Sequence, residues 1–250
     1  MSGQKEPTLQ LRERLRRLNS WRVQGSVPVE HNNEAEYVIA DDGSRWVMKR
    51  VAVTQAEQFL AEAISYQLGH LLRLPIPTGA YGGSGEGLAW FSACQSTVTH
   101  YSPRRLALTA NLKSFGQVLT LDVWVINEDR HPGNILLVQG EVGYSPCFID
   151  FGGAMVGYPG DFVMRTKYLP REAQFAARTV APEMLIAGAY QALEEIKSLA
   201  TSDIEGIVRE ACDIAGFSTD AGRLSQALLD RRNELPGLVR AFLARLGVNP

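Results

Sequence analysis

The sequence predicts an α+β chain in two lobes: a small, mostly antiparallel β lobe with one helix over residues 1–95, and a larger helical lobe over 96–250. Three observations predict it. Short β-prone segments crowd the stretch from Trp21 to Cys94. From residue 182 to 248 the apolar residues recur at helical spacing. Between the two lies a polar loop followed by two apolar strands. The chain has 250 residues, 45% hydrophobic and 21% charged, enough to bury a sizeable core and ordinary for a soluble protein. Its formal charge of −2 offers no basic field for nucleic acid, and no direct nucleic-acid partner is expected. Cys94, Cys147 and Cys212 form no Cys-x-x-Cys pair, which argues against a zinc site or a disulfide framework and for a reducing compartment. The N-terminus has no apolar leader and no apolar run approaches ~18 residues, so a cytoplasmic location without membrane contact is expected.

Residues 8 to 19 read as a short helix, with Leu11, Leu15 and Leu18 on one face and Arg12, Arg14, Arg16 and Arg17 as a solvated basic run. Strands follow from Trp21 to Val53. The pair Gly25-Ser26 reads as a turn between β-prone residues, and Asp41-Asp-Gly-Ser44 as a hairpin turn after Glu36–Ala40. The next strand, Arg45–Val53, carries Lys49 among apolar and β-branched neighbours. Thr54-Gln-Ala-Glu57 is a capping box, opening a helix that Pro75 and Pro77 close. The Gly-rich run from Ala80 to Gly87 reads as a turn between strands, since no helix start follows to bind phosphate. Leu88–Cys94 then forms the last strand of the small lobe and the hinge. Ser102 is the expected N-cap of the helical segments reaching Ile126. In the helical base, Ser202 is the expected N-cap of one helix, and a last helix follows Arg231-Arg-Asn-Glu-Leu-Pro236.

The chemistry concentrates between residues 121 and 153. Asp129 is followed by Asn134, then by an apolar strand, a turn over Gln139–Gly143, a second strand and Asp150-Phe-Gly152. The hairpin brings Asn134 and Asp150 to one edge. Phosphoryl transfer needs alignment and charge neutralisation more than covalent help. A carboxylate beside the acceptor hydroxyl, Asp129, is the expected base. One amide oxygen and one carboxylate, Asn134 and Asp150, suffice for Mg²⁺, which keeps several waters. Lys49 either points to solvent on the strand alternation or meets the ATP phosphates as a point charge. With the lower half in place the second reading is preferred. Glu62, free of the capping box, is then the carboxylate that holds Lys49. The Gly25-Ser26 turn is expected to cover the phosphates, and the backbone of Phe91, Ser92 and Ala93 to meet the adenine. Arg130 is expected to pair with a carboxylate and Asn127 to help fix the loop. His131 either contacts the γ-phosphate or makes a structural hydrogen bond. Arg165, Lys167 and Arg171, in the acceptor-facing segment 154–182, hint at an acidic or phosphorylated partner.

With these residues in hand, the chain resembles the HipA-like kinase family within the protein-kinase-like fold, over about residues 20 to 245. The likeness rests on Asp122–Asn134, on Phe148–Gly153, on Glu62–Pro77 and on Arg231–Pro236. It implies ATP with Mg²⁺, a Ser/Thr protein acceptor and a regulatory partner protein. It also implies an autophosphorylated serine in the phosphate loop, for which Ser26 is the nearest match. Asp-Arg-His-x-x-Asn is shared with phosphatidylinositol 3- and 4-kinases, which leaves a lipid or small-molecule acceptor open. A nucleotide-binding pseudokinase is a further alternative, though every polar catalytic position is filled.

Overall fold

The computed structural model describes residues 15–27, 35–52, 55–83, 87–95, 97–155, 161–171 and 173–249. The small lobe is a six-stranded sheet of order β1-β5-β6-β4-β3-β2. Its strands are β1 (Arg16–Leu18), β2 (Trp21–Ser26), β3 (Ala35–Ala40), β4 (Arg45–Arg50), β5 (Gly79–Gly82) and β6 (Ala89–Ala93). All neighbours are antiparallel except β1, which pairs parallel with β5. Strand alternation sorts β4 cleanly. Trp46 and Met48 enter a small core with Leu18, Val38, Ala80 and Phe91. Lys49 therefore takes the opposite face, where helix α1 (Ala56–Leu71) lies. There Phe59 and Tyr66 meet Trp90 edge to face.

Two expectations in this lobe need correction. Arg16–Leu18 is a strand and not part of a helix, because its pairing with Ala80–Gly82 is tertiary and buries Leu18; residues 8 to 14 lie outside the described ones. Helix α1 has Gln55 as N-cap with no side-chain cap bond, and Thr54 lies outside the described residues.

The large lobe opens with a three-stranded sheet, β7 (Val98–His100), β8 (Ile135–Gly140) and β9 (Gly143–Phe148), in that order. Around it run α2 (Pro103–Leu106), α3 (Lys113–Val125), α4 (Asp161–Met164), α5 (Gln174–Thr179), α6 (Pro182–Ser198), α7 (Thr201–Ala215) and α8 (Ala221–Arg245). Ser102 caps α2 by accepting from Arg105 N–H. Helices α3 and α6 touch backbone to backbone. A Cβ on Gly116 would lie 2.1 Å from Leu185 O, and one on Gly188 1.9 Å from Lys113 O, so both positions require glycine.

Helix α7 starts at Thr201 after Ala200, without the side-chain cap expected of Ser202. Pro236 lies inside α8 and does not end it. Apolar residues on both sides of the proline, Leu228, Leu235, Val239 and Phe242, are buried, and their packing outweighs the lost backbone bond. Among the described residues, no helix is long and apolar enough to cross a membrane.

Candidate active site

The site lies where helix α1, strand β4 and the root of the β8–β9 hairpin meet. Lys49 Nζ lies 2.8 Å from Glu62 Oε1 and 2.6 Å from Asp150 Oδ1. Glu62 is buried, and its second oxygen accepts from Phe151 N–H at 2.9 Å. One carboxylate thus ties the small-lobe lysine to the Asp-Phe-Gly turn. Burial by itself disfavours the Lys49 ammonium, but Glu62 and Asp150 outweigh it and hold the pKa above the usual lysine value. For Asp150, burial raises the pKa, and Lys49 reverses this and keeps it below the usual carboxylate value. Burial raises the Glu62 pKa above the usual carboxylate value, and Lys49 opposes the rise; with both carboxylates ionised against one ammonium, the cluster has surplus negative charge that suits a cation. Phe151 packs edge to face on Tyr66, one turn beyond Glu62 on the same helix.

The loop that carries Asp129 hangs from a second buried ion pair. Arg130 donates to both oxygens of Asp122, at 2.9 and 3.1 Å, and Asn127 Nδ2 donates to Asp122 Oδ1 at 2.8 Å. Arg130 also reaches Ile149 O at 2.7 Å and lies 4.6 Å from the Phe151 ring centroid, clamping the loop to the hairpin exit. Asn127 Oδ1 accepts from Asp129 N–H at 3.2 Å. Asn134 Nδ2 donates to Asp129 O at 2.8 Å, which fixes the amide and leaves its oxygen as the atom for a ligand. Ile149 N–H donates to Asn134 O, so Asn134 and Asp150 flank one hydrogen bond at the hairpin root. The Asp129 side chain is well exposed. His131 accepts from Gly133 N–H at 3.1 Å and lies 3.9 Å from Asp129, so its ring has a structural hydrogen bond.

The structure brings Lys49, Glu62 and Asp150 into direct contact and joins Asn134 to Asp129. The five other predicted positions are strand residues. Gly25 and Ser26 form no turn: they pair with Tyr37 and Glu36 at the end of β2, after a bulge between Val23 and Gly25. The β2–β3 connection falls later, largely at residues 28–34, outside the described ones, so Ser26 is a strand residue. Phe91 and Ser92 belong to an inner strand, paired with Met48 and Val47 on one side and Ala80 and Gly79 on the other. Ala93 pairs with Trp46 and donates its N–H to Thr78 O. The ladder occupies the backbone groups of Phe91 and Ser92 and the Ala93 N–H. Ser92 contributes instead through its side chain, which bonds the Tyr66 hydroxyl at 2.9 Å.

Sequence reasoning missed three further features. Asp122 was assigned to a helix leading into the loop, yet it receives both Arg130 and Asn127. A Cβ on Gly153 would lie 2.7 Å from Asp129 Cβ, so the second glycine of the turn lets the two loops touch. Ile126 and Asp150 both sit in the left-handed region, at φ 54° and 60°. Such residues cost of order 1–3 kcal/mol each and cluster at functional sites. Ile126 ends α3 with that reversal, and Asn127 N–H returns to Asp122 O at 2.9 Å.

No protein-family model matches the chain, and no curated protein matches it in sequence. Among solved structures, the Helicobacter pylori proinflammatory kinase CtkA is similar at a TM-score of 0.64 and 11% identity, over 94% of this chain and 99% of its own. That likeness, with the lobes described above, gives the chain a two-lobed protein-kinase-like α+β fold. A toxin–antitoxin HipA from Shewanella oneidensis MR-1 reaches a TM-score of 0.47 at 10% identity, over 89% of this chain and 68% of its own. The Golgi casein kinase with Mn/ADP bound reaches 0.49 at 9% identity, over 90% and 74%. These two scores are too low to carry an argument.

Proposed function

We propose that this chain is an ATP- and Mg²⁺-dependent kinase that phosphorylates a hydroxyl, with Ser/Thr of a cytoplasmic protein as the acceptor. The observation that carries the reading is the triangle of Lys49, Glu62 and Asp150, set beside Asn134 at the hairpin root. The likeness in fold to CtkA supports phosphotransfer, and the resemblance to HipA-like kinases supports a protein acceptor. The donor set fits Mg²⁺: one anionic oxygen from Asp150, one amide oxygen from Asn134, and room for water. When bound, Mg²⁺ neutralises charge on the transferring phosphates.

The remaining work falls to the chain. Lys49, held by Glu62, presents its ammonium to the nucleotide's α- and β-phosphates. Asp129 orients the acceptor hydroxyl and takes its proton as the oxygen attacks the γ-phosphorus, while ADP leaves. Arg130 and Asn127 hold the Asp129 backbone so that the carboxylate needs no reorganisation.

The test is incubation with γ-labelled ATP and Mg²⁺, with and without cell extract, wild type beside Asp150→Ala. Label on the chain or on one extract band, absent with the variant, is expected. Label confined to lipid or small molecules would move the acceptor to those classes. ATP binding without any transfer would sink the kinase reading in favour of a pseudokinase.

A further inference from the structure

One charged side chain of the large lobe is wholly buried and takes no part in the chemistry above. Arg231, in α8, has 0% exposure. It forms no ion pair among the described residues and donates to main-chain carbonyls instead. Nε reaches Trp124 O at 2.7 Å, and Nη2 reaches Val123 O and, at 3.1 Å, Tyr168 O. Nη1 reaches Arg165 O at 2.7 Å and Thr166 O at 3.1 Å. A guanidinium has five N–H donors, matching these five carbonyls.

The carbonyls fall into two groups, and each explains part of the arrangement. Val123 and Trp124 end α3, immediately before the catalytic loop. The amides that would have continued the helix are spent elsewhere: Asn127 N–H goes to Asp122 O and Glu128 N–H to Gly153 O. Both carbonyls would be buried and unpartnered without Arg231. The partial negative charge of the helix end also favours a cation there. Arg165, Thr166 and Tyr168 belong to the segment after the Asp-Phe-Gly turn. That segment is fastened again at its far end, where Arg171 N–H donates to Glu128 Oε2 at 3.0 Å. Glu128 is the neighbour of Asp129.

We propose that Arg231 is a positioning residue: it fastens residues 165–171 against the end of α3, so that the acceptor-side segment is assembled beside Asp129 before any acceptor arrives and without modification of the segment. The role in acceptor binding rests on the kinase reading; the fastening does not.

Trypsin tests it directly, because Arg165, Lys167 and Arg171 place cleavage sites within the segment. In wild type, cleavage after Lys167 is expected to be at least ten-fold slower than in the urea-unfolded chain. In Arg231→Lys, where one ammonium replaces the planar fork, it is expected to rise about ten-fold. Leu243→Ala, a buried α8 substitution away from the fastening, controls for general destabilisation and is expected to raise it far less. Phosphotransfer at saturating ATP is expected to fall about ten-fold in Arg231→Lys, with the ATP-induced rise in Tm retained. Equal cleavage of Arg231→Lys and wild type, or of Arg231→Lys and Leu243→Ala, overturns the proposal. If Arg231→Lys does not fold, wild type decides alone: cleavage after Lys167 as fast as in the unfolded chain overturns it. Should the cleavage pattern hold while wild type transfers no phosphate, the fastening stands and the kinase reading falls.

Discussion

Lys49 is a partly buried cation and Arg231 a wholly buried one, and they are stabilised by opposite means. Lys49 faces two carboxylates, and their charge raises its pKa despite burial. Arg231 faces only carbonyl dipoles, and burial lowers its pKa to about 10, still protonated at neutral pH. The first arrangement is open. Lys49 keeps 26% side-chain exposure, and its cluster has a negative charge to spare. A compact ammonium in that setting can exchange a carboxylate for a phosphate with little rearrangement. The second arrangement is closed, with all five donors committed to fixed backbone. On the proposed function, counter-charge therefore suits the cation that is to change partners, and dipoles the one that holds the frame.

The largest expected effect comes from removing the carboxylate that pairs with Lys49 and that the proposed function gives to Mg²⁺. Asp150→Ala should lower phosphotransfer by about 10²–10³-fold or more while the chain stays folded, read by label transfer beside circular dichroism. Equal turnover would break the comparison at its functional end. Next, Arg231→Met strands carbonyls at the end of α3, each worth about 1–3 kcal/mol, so urea unfolding should show a total loss of ~2–4 kcal/mol. A loss below ~1 kcal/mol would mean that water replaces the guanidinium.

Lys49→Met should cost less, ~1–3 kcal/mol, below the 3–5 of a fully buried broken pair because Lys49 is partly exposed. It should also change a pH dependence in which Glu62, whose pKa burial already raises in wild type, opposes Asp150. In wild type, Asp150 is held below its unfolded pKa, so its contribution is complete above the ordinary carboxylate range and lost as pH falls through the folded value. Without the ammonium, Glu62 and Asp150 repel each other in a buried site, and their folded pKa values rise. The variant should then gain stability as pH falls from 7 toward 5, and a Tm that declines over that interval would contradict this. The smallest effect concerns thiols. Burial pushes the Cys147 and Cys212 pKa values up to about 12, and only Cys94 is partly exposed. Iodoacetamide at pH 8 should label Cys94 first and the other two only on unfolding.

The site was more legible in the sequence than the frame around it. Asp129, Asn134 and Asp150 are polar residues at fixed offsets around an apolar hairpin, and a hairpin is a local structure that local pattern reveals. Glu62 could be singled out because Glu57 was assigned to a capping box, although α1 has Gln55 as N-cap and no side-chain cap bond. Non-local pairings were not legible. Leu15 and Leu18 fit a helical face, yet Arg16–Leu18 is recruited by β5, more than sixty positions away. Gly25-Ser26 has turn composition, but Tyr37 and Glu36 hold it in the ladder. Pro236 signals a helix end, and packing on both sides overrides it. Arg231 drew notice only as part of Arg231–Pro236, because no sequence pattern shows that the exit of α3 lacks donors.

The most direct test is calorimetric titration of ATP, with Mg²⁺ and with EDTA, into wild type, Lys49→Met and Asp150→Asn. The account predicts binding to wild type that Mg²⁺ tightens, weaker binding to Lys49→Met under both conditions, and binding to Asp150→Asn that Mg²⁺ no longer tightens. Equal affinities in all three chains would place the nucleotide elsewhere and leave the Lys49–Glu62–Asp150 triangle as an internal ion cluster.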